Sequence, residues 1–133
     1  MRMMNALATL ILLGSLTALP APGQSAGVGK YVLTHAAGRE LPAVVSENPS
    51  TGFKQEVTGG FVVLAADGSC TVSTDYRYTE DGRTHTSTSK SDGRYEMSGE
   101  SVILIFGSDR LQATLRGDRL TVRADIELIL KRN

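Results

Sequence analysis

Few side chains in this 133-residue chain carry chemistry: two histidines, one cysteine, four tyrosines and a tract of hydroxyl residues. A zinc site needs three or four nitrogen, sulfur or carboxylate ligands at defined spacing. His35, His85 and Cys70 show no such spacing with one another or with an acid, so no metal is expected. Nucleophilic catalysis on a serine calls for a Gly-x-Ser-x-Gly elbow or an equivalent arrangement. The nearest stretch, Met97-Ser98-Gly99, reads as a turn. Neither a phosphate-binding loop nor a dinucleotide fingerprint is present, so the expectation is a protein without cofactor and without enzymatic activity.

The remaining candidates are binding residues. Thr84, Thr86 and Thr88 form a hydroxyl row on one strand face. Such a row suits carbohydrate or ordered water, or it is an ordinary polar strand that resists aggregation. The second reading is preferred because one strand alone carries the pattern. Tyr31, Tyr76, Tyr78 and Tyr95 each join an apolar ring to a polar hydroxyl, which suits the mouth of a barrel holding an amphipathic ligand. Tyr76, Tyr78, Val72 and Leu128 are the expected ligand-binding set. Cys70 shares a strand face with Val72 and Tyr76 and reads as a small buried hydrophobe.

The elements that must position these residues read as strands. Leu120, Val122, Ala124, Ile126, Leu128 and Leu130 fall on every second position, with Thr121, Arg123, Asp125, Glu127 and Lys131 among the residues between them. That period of two marks a strand with one dry face. Asp-Gly pairs at 67–68, 81–82 and 92–93 read as hairpin turns. Further strands are expected over 28–35, 41–46, 54–66, 69–78, 84–91, 94–97, 102–106 and 111–115, and a closing strand over 120–131. Gly59–Gly60 inside the third strand marks a bulge that would curve the sheet. The fold class is all-β: an antiparallel up-and-down meander of about eight strands, closing into a barrel that leaves no exposed edge.

The N-terminus is expected to lie outside that fold. Arg2 precedes an uncharged segment with Leu7, Ala8, Leu10, Ile11, Leu12, Leu13 and Leu16, and Pro20 to Ala26 are mostly small. Basic, apolar and small segments in that order make a secretory signal peptide. The apolar part is shorter than the roughly 20 residues that span a bilayer. The expected division is 1–26 signal peptide and 27–133 barrel, with the mature protein secreted or periplasmic. Cys70 is too far downstream to carry a lipid, so no membrane anchor is expected after cleavage. Fourteen Lys and Arg balance fourteen Asp and Glu. Near-neutrality gives no electrostatic case for nucleic acid.

Gly29-Lys30-Tyr31, Gly38-Arg39-Glu40-Leu41-Pro42, Gly60 with Leu64 and Asp67-Gly68, and Leu120-Thr121-Val122 with Arg132 resemble bacterial lipocalin-like, calycin-type barrels. Lipocalins open on Gly-x-Trp and pack a late basic residue on that ring. The resemblance implies that Tyr31 takes the place of the tryptophan and that Arg132 stacks on it to close the barrel. It also implies a small hydrophobic or amphipathic ligand in the interior of a monomer or weak dimer. The alternative is an exported interaction or inhibitor module that acts through its loops. An interior cavity of about 300 Å³ or more, lined by Tyr76, Val72 and Leu128, separates the two readings.

Overall fold

Tight turns with left-handed residues reverse the chain at almost every step, so neighbours in sequence become neighbours in a sheet. The computed structural model describes residues 27–133. The expected signal peptide over 1–26 lies outside the described residues. Ten strands follow in order: β1 (Gly29–Ala36), β2 (Arg39–Glu40), β3 (Ala43–Asn48), β4 (Phe53–Leu64), β5 (Ser69–Glu80), β6 (Arg83–Ser98), β7 (Ser101–Phe106), β8 (Asp109–Arg116), β9 (Arg119–Arg123) and β10 (Glu127–Arg132). β1 pairs with β10 on one edge and with β4 on the other, both antiparallel. That closes eight strands, β1 and β4 through β10, into an up-and-down barrel. β2 is appended to the end of β1, and β3 to the outer half of β4.

Three elements differ from expectation, each for a physical reason. The expected closing strand is two strands, β9 and β10, reversed at 124–126. Leu120 faces Leu130 and Val122 faces Leu128. Partners in this hairpin share parity, so the alternation keeps its phase through the reversal and periodicity cannot see it. The expected turn at Asp92–Gly93 is instead continuous β6, paired with Thr71 and Cys70. A Cβ on Gly93 would overlap the Ile105 carbonyl oxygen, so the glycine allows close backbone approach there. The expected strand over 41–46 begins only at Ala43, as β3, because Pro42 has no N–H to give a ladder, and Arg39–Glu40 before it form the short β2.

The bulge expected near Gly59 is present, between Val57 and Gly59 of β4. At Gly60 a Cβ would press on the Ser73 carbonyl, so β4 and β5 pack there without a side chain. Inward residues form one continuous buried cluster that includes Tyr31, Leu33, Val57, Val62, Leu64, Tyr95, Val102, Leu104, Leu120, Val122, Leu128 and Leu130. Leu64, Leu104 and Leu120 are 0% exposed. Each such leucine contributes about 1.5–3 kcal/mol by leaving water.

Tyr31 and Arg132 meet where the barrel closes. They are direct cross-strand partners on β1 and β10. The guanidinium carbon lies 5.1 Å from the centroid of the Tyr31 ring. Arg132 also donates to the Tyr31 hydroxyl, which itself donates to the Gly27 carbonyl at 2.7 Å.

Candidate functional site

β4, β5 and β6 are longer than the barrel needs. β4 touches β1 only through Phe61 to Leu64, and β6 touches β7 only from Arg94 to Ser98. The first half of β4, the second half of β5 and the first half of β6 therefore leave the barrel together, with β3 alongside. The result is a four-stranded ribbon. Asp81 and Gly82 turn its long hairpin, both with positive φ, as a two-residue turn with the strands' twist requires.

One face of the ribbon continues the barrel interior outward as an aromatic strip. Val57 is buried opposite Tyr76, and Tyr76 lies 6.0 Å from Tyr78. Tyr78 stacks on His85 at 5.2 Å and meets Phe53 at 6.4 Å. Gln55 donates to the Tyr78 hydroxyl at 3.4 Å. Burial, and then the neighbouring Tyr78, push the Tyr76 hydroxyl's pKa up, so it stays a neutral donor at ordinary pH.

Polar pairs hold the other face. Arg77 grips Glu56 with two hydrogen bonds, at 2.9 and 3.0 Å. That grip holds the Glu56 carboxyl below its ordinary value. Thr88 donates to Asp75 at 2.8 Å, and Thr79 and Thr84 share a hydroxyl contact of 3.3 Å. Two members of the Thr84, Thr86, Thr88 row are thus bonded to β5.

The ribbon has an open edge. Residues 83–92 of β6 pair with β5 on one side, and no strand pairs the other side among the described residues. The hairpin closes on Glu80 and Arg83, so alternate residues from Arg83 onward bond to β5. The N–H and C=O groups of Thr84, Thr86, Thr88, Lys90 and Asp92 therefore point outward. An open groove of about 340 Å³ borders Ser91 on this strand and is lined by Val72, Phe106, Asp109, Arg110 and Leu111.

The four residues expected to bind a ligand are dispersed. Tyr76 and Tyr78 sit together on the ribbon, Val72 borders the groove, and Leu128 is a core residue opposite Val122. Phe53 and His85 complete the aromatic strip and were not among the expected residues. A signal for His85 exists: a two-residue turn at Asp81–Gly82 forces Tyr78 opposite it. Cys70 is buried and donates to the Arg94 carbonyl at 3.4 Å. Burial, followed by the nearby Asp92, raises its pKa and keeps it a thiol. His35 lies on β1 against Thr34, and His85 on the ribbon. No family model, curated protein or solved structure matches this chain.

Proposed function

We propose that the protein is an exported interaction module, acting as a monomer or weak dimer, that takes an extended segment of a partner protein onto the open edge of β6. The outward-pointing backbone groups of residues 83–92 support this reading, because unpaired donors and acceptors at strand spacing are complementary only to another extended backbone. The apolar groove beside Ser91 gives such a segment a seat for one side chain, and the ribbon's free edge supplies the main-chain bonds. The successive basic, apolar and small segments of the N-terminus support export.

The continuous buried cluster inside the barrel favours this module over a ligand held in the interior. A small amphipathic ligand has a second place to go, over Tyr76 and Tyr78, where half-buried rings flank the barrel mouth. Thr86→Pro separates the two readings. It removes an outward amide while leaving the bonds to β5, a position where a strand tolerates proline. Native mass spectrometry of the wild type recovered from the producing cells should show a polypeptide adduct, and the variant should lose it. A small-molecule adduct that survives Thr86→Pro and disappears in Tyr78→Ala would overturn the proposal in favour of the ligand.

A further inference from the structure

The geometry points to an oxyanion-binding site on the outer wall of the barrel, formed by β8 and β9, for a phosphate-type group. Ala113, Leu115, Leu120 and Val122 are buried, which turns the alternate residues of both strands to the outside. The register then sets Arg116 directly opposite Arg119, and Arg119 directly opposite Lys131 of β10. Like charges facing each other across a sheet repel, and a bound anion removes that repulsion. Thr114 faces Thr121, and Gln112 faces Arg123.

These side chains frame a groove of about 200 Å³ lined by Thr114, Arg116, Arg119, Thr121 and Arg123. Three arginines and two threonines line it, with no carboxylate in the lining. The neighbouring carboxylates lie outside it. Glu100 meets Arg116 at 3.3 Å with both side chains mostly exposed, Glu127 faces Arg123 in register, and Asp118 sits in the β8–β9 turn. Arg119, Arg123 and Lys131 have no ion pair among the described residues.

Guanidinium forks match the spacing of phosphate oxygens and bind them bidentately, and threonine hydroxyls can fill the remaining lone pairs. The groove is smaller than the roughly 300–1,000 Å³ of sites for drug-sized ligands, so it takes the anionic group itself. That group is either free or displayed by an anionic lipid headgroup. The site shares no residue with the β6 edge and is independent of what binds there.

The test uses inorganic pyrophosphate at low ionic strength, and separately phosphatidylglycerol vesicles against phosphatidylcholine vesicles. Thermal melts and amide NMR shifts are recorded on the wild type, Arg119→Gln, Thr121→Val and the distant control Arg39→Gln. Pyrophosphate should raise the wild-type and Arg39→Gln melting temperatures. It should move the amides of Thr114, Thr121 and Arg123, and its dissociation constant should rise about tenfold in Arg119→Gln. Thr121→Val should weaken binding less, and it keeps the test open if Arg119→Gln fails to fold. Binding to phosphatidylglycerol vesicles alone, lost in the same variants, would make a headgroup the source of the anion. An equal response in Arg119→Gln and wild type, or none to either probe, would overturn the site.

Discussion

Glu56 is 7% exposed, and its carboxylate is matched on both oxygens by Arg77. Its pKa is lowered from an ordinary value near 4.5, first by the hydrogen bonds from Arg77. The stabilisation is therefore complete above that ordinary value and is lost as pH falls through the lower folded-state value. Arg77→Met should destabilise the protein at neutral pH, because it strands a buried carboxylate. The gap between variant and wild type in urea melts should then shrink on acidification from about pH 6 to about pH 3. A gap independent of pH would mean that Arg77 acts through packing alone. Tyr31 and Arg132 call for a double-mutant cycle with Tyr31→Leu and Arg132→Met. The ring is fully buried and the contact combines a cation over its face with a hydrogen bond to its hydroxyl. A coupling of about 1–2 kcal/mol is expected. A coupling indistinguishable from zero would leave closure to the β1–β10 backbone ladder.

The hairpin of β9 and β10 and the close approach of β6 to Ile105 at Gly93 are the elements most open to test. Leu128→Ala should cost about 2–5 kcal/mol, through lost burial and the cavity left behind. Glu127→Ala, on the exposed face, should change stability by about 0.5 kcal/mol or less. Equal effects in denaturant melts would place Leu128 on the wrong face. Gly93→Ala should cost about 1–3 kcal/mol by forcing β6 away from Ile105, whereas an ordinary turn glycine with open space around it, such as Gly117, should tolerate alanine less only for its backbone angle. These elements also show what could be read in advance. Alternation in 120–130 revealed that Leu120, Val122, Leu128 and Leu130 face inward, because parity depends on pleat alone, but it also counted Ala124, which is exposed at the tip. It hid the reversal at 124–126, because an odd-numbered tip returns the chain in phase. Asp92–Gly93 misled for the opposite reason: the same dipeptide that makes a turn at 81–82 supplies close approach at 92–93, and only the packing of Ile105 tells the two apart. The ribbon was invisible because its existence depends on how far β4 and β6 outrun β1 and β7, a long-range property of register.

For the whole molecule, one buried cluster runs through the barrel and reaches the root of the ribbon at Val57 and Tyr76. Barrel and ribbon should therefore unfold together. The chain has no tryptophan, and its tyrosines divide evenly: Tyr31 and Tyr95 in the barrel core, Tyr76 and Tyr78 on the ribbon. Urea transitions followed by tyrosine fluorescence in Tyr76→Phe/Tyr78→Phe and in the wild type should coincide with those from circular dichroism. Separate midpoints would make the ribbon an independent unit.

The placement of β1 between β4 and β10 also governs timing. Tyr31 lies on β1, among the first core residues of the barrel to leave a ribosome, and its partner Arg132 lies on β10, the last of the barrel's strands. A chain emerging from its N-terminus can assemble its local hairpins one after another, but the first strand keeps one edge unsatisfied until the last is delivered. Closing that seam joins positions about a hundred residues apart, the slowest kind of contact for a polypeptide to find. The barrel is thus a fold that stays unlocked while its strands are made and locks only when the first of them meets the last.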